Sequence, residues 1–464
     1  MMHNSILNTD SYKTSHFNQY PPNTVNMNSY IESRGGKWAQ TVFFGLQMFL
    51  KEYLCTPLSA EHIAEAETML KAHGVPFHAA GWKHILDHHG GFLPVVIEAI
   101  PEGTVIDVKN CLVQIRATDP ACFWLPSYLE TALLRGVWYP TTVCTLSHEI
   151  KKLIFTYLER TADDPAAEID FKLHDFGSRG ASSYESAALG GVAHLVNFKG
   201  TDTVIGLAAA KQYYHCDMAG FSIPAMEHST VTSWESEVSA YENMVETYGA
   251  PNALYACVSD SYDIYTAIEY IWPRLNEKVL AKGGTVVIRL DSGDPVTMVR
   301  DSLETLMQKF GFTTNSKGFR VLPQHIRVLQ GDGVNEESIE QILSALHDAE
   351  ISASNLAFGM GGALLQKMNR DTLKFAMKCS AIQVNDNGHT YWRDVFKNPI
   401  SDPGKISKRG ILAVNAYDGT HYTMKTSPEF NETNCLRPVF QNGELLVDDD
   451  FATIRERVQN TIAS

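Results

Sequence analysis

The chain has 464 residues, 44% of them hydrophobic and 20% charged, with 53 acidic against 38 basic side chains and a formal net charge of −15. This length predicts two or three domains, or one large barrel with an added domain, with enough apolar content to bury cores without disulfide or metal staples. The acidic balance excludes a general nucleic-acid binder, which needs a basic face, but not a small anionic substrate held by a few local cations, helix N-termini and a metal ion.

The polar stretch from Asn4 to Ser15 is unlike a signal peptide, and no apolar run approaches the roughly 20 residues of a membrane span. Glu61–His73 predicts an exposed helix. His84 and His88 follow at i, i+4 spacing, which can bind zinc. No third ligand is evident in the sequence, so an exposed helix face is expected there. Val95–Ile100 and Leu112–Ile115 read as strands around the turn Pro101-Glu102-Gly103. Cys55, Cys111, Cys122, Cys144, Cys216, Cys257, Cys379 and Cys435 form no Cys-x-x-Cys pair and read as reduced thiols of a cytoplasmic protein.

From about residue 170 a repeating unit begins, in which a short apolar run ends in Gly, Asp or Ser and a helical pattern often follows. Lys172–Phe176, Leu195–Phe198 and Phe221–Ile223 are weak cases; Leu254–Val258, Thr285–Leu290, Ile326–Leu329 and Asn355–Phe358 are clear ones. Strands alternating with helices predict a largely parallel sheet, and about seven in series predict an α/β barrel with its site in the loops after the strands. An open doubly wound sheet is the alternative, with the site at the same strand ends. After about residue 385 the pattern becomes turn-rich, at Asn385–Gly388, Asn398–Gly410 and Asp418–Gly419. Residues 385–464 are therefore expected to join residues 1–150 in a discontinuous, mainly β, α+β domain, with the barrel over 151–384.

Two glycine loops stand late in the barrel pattern. Gly331-Asp332-Gly333 precedes a helix with Asn335 as N-cap and Ile339, Ile342, Leu343 and Leu346 on one face. Gly359, Gly361 and Gly362 precede Ala363–Met368. Such loops let backbone N–H groups approach a phosphate; a plain tight turn is the alternative. There is no Gly-x-x-x-x-Gly-Lys-Ser/Thr motif, and no acidic pair followed by Thr-Gly-x-Thr.

Taken in order, Thr9-Asp10-Ser11-Tyr12-Lys13, His174-Asp175-Phe176-Gly177-Ser178-Arg179-Gly180, Asn197 to Thr203, Glu227-His228-Ser229-Thr230, Val258 to Asp263, Arg289 with Asp291-Ser292-Gly293, Gln330 to Val334, and Gly361-Gly362 with Leu364 to Lys367 resemble the nicotinamide phosphoribosyltransferases of the nicotinate phosphoribosyltransferase-like barrel family. The likeness runs over nearly the whole chain. It implies an irregular α/β barrel of the type II phosphoribosyltransferase kind, joining nicotinamide to phosphoribosyl pyrophosphate with magnesium, coupled to ATP hydrolysis, in a homodimer with active sites at the subunit interface.

By the same resemblance, Phe176 and Tyr12 of the partner subunit stack on the pyridine ring. Asp202 and Arg289, helped by Ser259, take the amide; an aspartate at position 202 would repel the carboxylate of nicotinate. Arg179 and Arg289 face the pyrophosphate. Asp291, also expected to be catalytic, and the Gly331 backbone belong to the ribose, and Asp332 is expected among the substrate-binding residues. Gly361 and Gly362 take the 5-phosphate, with Arg370 and Lys378 as nearby cations. Lys397 and Lys405 serve the leaving group, with solvated surface lysine as the alternative. His228 is the phosphorylated histidine, Asp263 its supporting acid, and His174 has a supporting role. The ligands of the metal are left open. Met360 and Ala376 depart from the small polar residue and the hydroxyl that the family pattern leads one to expect. A nicotinate transferase and a catalytically silent binding protein remain as alternatives.

Overall fold

The computed structural model of the chain describes residues 4–401, 403–427 and 433–461. The chain forms two compact units. The first comprises Met1–Thr145, Gln212–His215 and Met368–Ser464, and the second Leu146–Lys211 and Cys216–Lys367.

The first unit gathers both chain ends around a seven-stranded antiparallel sheet. Its strand order is His389–Asp394, Phe375–Asp386, Thr24–Ser33, Cys111–Ala117, Val95–Ala99, Arg437–Gln441, Glu444–Leu445. Phe375–Asp386 thus lies in this sheet, ahead of the expected boundary at residue 385. The turn-rich tail has a specific cause. Asn387-Gly388, Asp418-Gly419 and Asn442-Gly443 each close a two-residue hairpin, with both residues at positive φ. Asn, Asp and Gly tolerate that geometry, which matches the right-handed twist of the flanking strands. The expected exposed helix is Ala60–Ala72, capped by Ser59 on the His62 N–H. All eight cysteines are free thiols, and Cys111, Cys122, Cys144 and Cys257 are buried.

The second unit holds six parallel strands, in the order Gly200–Thr201, Leu173–Asp175, Leu356–Met360, Ile326–Gln330, Thr285–Leu290, Leu254–Val258. The later strands are near-continuous apolar runs because parallel strands are covered on both faces. One short segment completes the ring. Phe221 bridges to Gly200 on one outer strand, and Ala225 bridges to Ala256 on the other. The result is an irregular seven-membered barrel. Ala256, Val287 and Leu329 fill part of its interior, with Phe176 and Ile223 packed against them.

One expected strand is misplaced in the sequence reading. Leu195 ends the helix Tyr184–Leu195, and the strand comes later, at Gly200–Thr201. The apolar run 195–198 is buried as the end of a helix, and a four-residue run cannot separate the two states by periodicity. Among the described residues, no helix is long and apolar enough to cross a membrane.

Candidate active site at the barrel mouth

The C-terminal ends of the barrel strands carry most of the expected site residues. On one arc, Leu173–Asp175 delivers Phe176, whose N–H donates to the Met360 carbonyl at 2.9 Å. The half-buried ring lies over Gly359, where a Cβ would come within 2.0 Å of it. Glycine is thus required at 359 by this aromatic platform. Asp202 sits beside it in the ring: its N–H donates to the Asp175 carbonyl at 2.9 Å, and its exposed carboxylate accepts from the Ser222 hydroxyl at 2.5 Å. A pocket of about 490 Å³ borders Asp202, with Ser178, Tyr184 and Val204 among its walls.

Beneath this arc, Asp175 is buried. One carboxylate oxygen accepts from the Gly177 N–H at 2.7 Å and the other has no hydrogen-bond partner. Burial pushes its pKa up to about 6. His174 lies against Gly200 and bonds the Phe171 carbonyl at 3.0 Å, and burial lowers its pKa. It is therefore a packing residue of the strand.

The opposite arc is a charged network. Asp291 Oδ2 accepts from Arg289 Nη2 at 2.7 Å and lies 3.2 Å from His228 Nε2. His228 Nδ1 lies 3.0 Å from the Ser261 hydroxyl. A carboxylate beside a guanidinium only accepts, so Nε2 carries the hydrogen. In the neutral ring this leaves the Nδ1 lone pair toward Ser261. Asp260 Oδ2 accepts from the Asp291 N–H at 2.8 Å and from the Ser292 hydroxyl at 2.6 Å, fixing the loop that carries Asp291. Asp260 Oδ1 and Arg289 Nε are buried without hydrogen-bond partners. Gly331 is needed here for close approach, since a Cβ would lie 2.9 Å from Asp291 Oδ1 and 3.0 Å from Arg289 Nε.

Several expected roles change. Asp263 does not touch His228; it caps a helix through the Tyr265 and Thr266 N–H groups, and the Thr266 bonds hold its pKa down. The acid at the histidine is Asp291. Ser259 is fully buried, donating to the Cys257 carbonyl and accepting from Trp272 Nε1, each at 3.0 Å, and so braces the loop. The Gly331 N–H donates to the Leu290 carbonyl at 2.8 Å and is not directed at a ligand. Its loop leads into Glu336–Asp348, already capped by Asn335 and carrying Glu336 and Glu337 in its first turn, a poor setting for phosphate. Asp332 is exposed, and its carbonyl accepts from Gln330 Nε2 at 2.7 Å.

The other glycine loop differs. Gly361 and Gly362 introduce Gly362–Leu365, a single turn rather than the expected Ala363–Met368 helix. Gly362 has open space where a Cβ would stand, and the turn Ser178–Gly180, which carries the exposed Arg179, packs against it through Gly180. Met360 is buried at the strand end with its side chain in the core, and so leaves the backbone of the loop unchanged.

Tyr12, Arg370, Lys378, Lys397 and Lys405 belong to the first unit. Tyr12 is 59% exposed, with its ring edge-on to His16 at 5.1 Å. Arg370 pairs with Asp371 at 3.1 Å. Lys378 lies 3.9 Å from Glu130, with its pKa lowered chiefly by burial. Lys397 and Lys405 are exposed, and Ala376 pairs with Glu32 in the sheet. The site residues not assigned from sequence are Asp260, Ser261 and Ser222. The first two stand in the loop after an apolar strand, where position alone marks them; Ser222 lies in a segment whose strand signal is weak.

Comparison with known proteins bears on this arrangement. Residues 171–444 match the model described as the Nicotinate phosphoribosyltransferase (NAPRTase) family, and residues 4–97 match the Nicotinamide phosphoribosyltransferase N-terminal domain. The chain is 51% identical to a nicotinamide phosphoribosyltransferase of Xanthomonas campestris pv. campestris over 97% of both chains. It is 30% identical to that of Acinetobacter baylyi over 98% of this chain and 97% of the relative. In fold it is similar to the nicotinate-nucleotide pyrophosphorylase of Pyrococcus furiosus (TM-score 0.63, 17% identity, 99% and 95% of the two chains). It is also similar to human nicotinic acid phosphoribosyltransferase (TM-score 0.56, 15% identity, 98% and 93%).

Proposed function

The chain belongs to the nicotinamide phosphoribosyltransferase family, and we propose that it joins nicotinamide to phosphoribosyl pyrophosphate, giving nicotinamide mononucleotide and pyrophosphate. The observation that carries the reading is the Phe176 ring on an apolar barrel interior with the Asp202 carboxylate at its rim. A flat aromatic surface suits a pyridine ring, and a carboxylate suits its amide N–H rather than a second carboxylate.

In this reaction the pyridine nitrogen attacks the anomeric carbon as the bond to pyrophosphate breaks. No proton need move, so the protein acts by orientation and by countering charge on the leaving group. Arg179 is exposed on this rim, and Arg289 has an unpartnered Nε–H beside Gly331; both suit an anion. Asp291 holds Arg289 in place and is suited to a ribose hydroxyl. Gly361 and Gly362 offer backbone donors for the 5-phosphate. Asp260, with an unpartnered buried oxygen, and Asp291 would hold magnesium, which neutralises pyrophosphate when bound.

ATP coupling belongs to the same proposal. The His228 Nδ1 lone pair attacks the γ-phosphorus as the bond to ADP breaks, and water later cleaves the phosphohistidine. Tyr12 of the partner subunit supplies the second aromatic face, which makes the working unit a homodimer. Lys397 and Lys405 belong to the same proposal as cations for pyrophosphate. Arg370 and Lys378 are likewise proposed for the 5-phosphate.

The test is product formation from purified protein, phosphoribosyl pyrophosphate and magnesium, comparing nicotinamide with nicotinate, each with and without ATP. Mononucleotide from nicotinamide, driven further by ATP, is expected. Preference for nicotinate would overturn the role of Asp202. An ATP effect that survives in His228→Ala would overturn the phosphohistidine, and a fully active monomer in sedimentation would overturn the shared slot.

A further inference from the structure

A second cluster of histidines lies in the first unit and takes no part in the transferase reading. The helix Ala79–His89 presents His84 and His89 to the turn Pro120–Cys122. Both Nε2 atoms lie 2.7 Å from the same oxygen, Asp119 Oδ2, from residues 35 and 30 positions away. Cys122 adds a thiol: the ligand atoms of His84, Asp119 and Cys122 all lie within 4.8 Å of one another, and His89 reaches this group through its contact with Asp119. The expectation of an exposed i, i+4 histidine face is corrected here. His88 is the exposed member, its ring tilted against that of His84 with centroids 4.4 Å apart, whereas His84 and His89 turn inward to a carboxylate far away in sequence.

We propose that His84, His89, Asp119 and Cys122 form a zinc site that ties this helix to the 119–122 turn. Two imidazole nitrogens converging on one carboxylate oxygen are what a site of this kind looks like when hydrogens occupy the place of the ion. Zinc takes nitrogen at about 2.0–2.1 Å, carboxylate oxygen at about 2.0–2.2 Å and thiolate sulfur at about 2.3 Å, so small rotations of His84, Asp119 and Cys122 close three ligands on an ion, and His89 swings in from its contact with Asp119 to complete the tetrahedron. The mixed nitrogen, oxygen and sulfur donors select a borderline ion such as zinc over magnesium or calcium.

The surroundings fit as well. Asp119 Oδ1 accepts from the Ala121 N–H at 2.8 Å, which fixes the carboxylate as an outer hydrogen bond does around metal ligands. Side-chain exposures of 29% for His84, 24% for His89 and 21% for Asp119 leave an entry path while shielding the site. The Cys122 side chain is fully buried, and a thiol that ligates a dication does so as the thiolate. The benefit is stabilisation of this unit by mass action, since the unfolded chain does not hold the four ligands together.

The test uses the full chain stripped of metal with a chelator, titrated with zinc by calorimetry and with cobalt by visible absorption. One ion per chain is expected, with tetrahedral cobalt bands, a thiolate-to-cobalt charge-transfer band, and a rise in Tm with zinc. Asp119→Asn and His89→Ala each lower affinity at least about tenfold. Cys122→Ser removes the charge-transfer band, and His88→Ala changes nothing. Circular dichroism of each variant separates lost binding from lost fold, and His89→Ala, at the end of its helix, keeps the test decisive if Asp119→Asn is unstable. Absence of saturable binding overturns the proposal. So does binding that His88→Ala abolishes and Asp119→Asn leaves intact, since that marks a surface His84–His88 pair.

Discussion

The two arcs of the barrel mouth are built on opposite plans. From His228 to Asp291 the rim is a network of hydrogen bonds, most of them charge-assisted, in which Asp260, Asp291, Arg289, His228 and Ser261 each restrain a neighbour. From Asp202 through Leu173–Asp175 to Leu356–Met360 the rim is an aromatic ring on glycine and an exposed carboxylate. The first arc fixes charges in advance, as a developing anion requires. The second leaves a flat slot open for a ring. On the proposed function, the difference teaches that charge stabilisation and ring recognition would be carried by separate strands, so that each could be disturbed without the other.

The largest expected effect breaks the charged arc. Asp291→Asn releases Arg289 and His228 together and should lower kcat/KM by roughly 100- to 1000-fold, while the KM for nicotinamide changes little; steady-state kinetics with each substrate varied in turn checks this. Next, Gly359→Ala drives a methyl into the Phe176 ring and should cost roughly 100-fold in kcat/KM, expressed mainly in the KM for the base. If both variants changed the same parameter equally, the separation of the arcs would be wrong.

Asp202→Asn sharpens the comparison within the open arc. Loss of a charged hydrogen bond of about 1.5–3 kcal/mol should weaken nicotinamide roughly 10- to 100-fold, while removing repulsion toward nicotinate. Competition between the two bases would read the change in preference, and an unchanged ratio would remove Asp202 from recognition.

The smallest expected effect on turnover comes from Asp175. Its folded pKa, about 6, stands above its ordinary value of 3.8. The native state therefore binds the proton more tightly than the unfolded chain. Stability should fall as pH rises from about 4 through about 6, then level off, by roughly 3 kcal/mol for a shift of this size. Denaturant unfolding across that range, compared with Asp175→Asn, isolates this contribution; parallel curves would show that Asp175 is not the group responsible.

Much of this was legible in the sequence. Apolar runs ending in Asp, Ser or Gly located the later strands and put Asp291 in the loop after one of them, because a parallel barrel puts the residue after each strand on one rim; Phe176, Asp202, His228 and Arg289 were singled out by likeness to the family. The strand near residue 200 was obscured because two residues carry no period and the apolar run before it ends a helix. The roles of Asp263, Ser259 and Gly331 were assigned by likeness, and their hydrogen bonds are set by local backbone geometry that residue type does not report. The partners of His84 lie on a turn 35 positions away, a distance no spacing rule spans.

The segment from Phe221 to Met226 has a further consequence. A sheet that stops short of closure exposes two rows of unpaired backbone groups, each a template for another chain. Here one stretch of chain shields both. Thr201 N–H and Phe221 N–H bond across one seam at 3.0 and 2.7 Å, and Met226 N–H and Ala256 N–H across the other at 3.0 and 2.8 Å. Even Pro224, which has no N–H to offer, serves by accepting from Ala256. The same few residues that complete the mouth thus cover both borders of the sheet: a deletion there would unmask two adhesive borders at once, and its first symptom would be clumping rather than slow turnover.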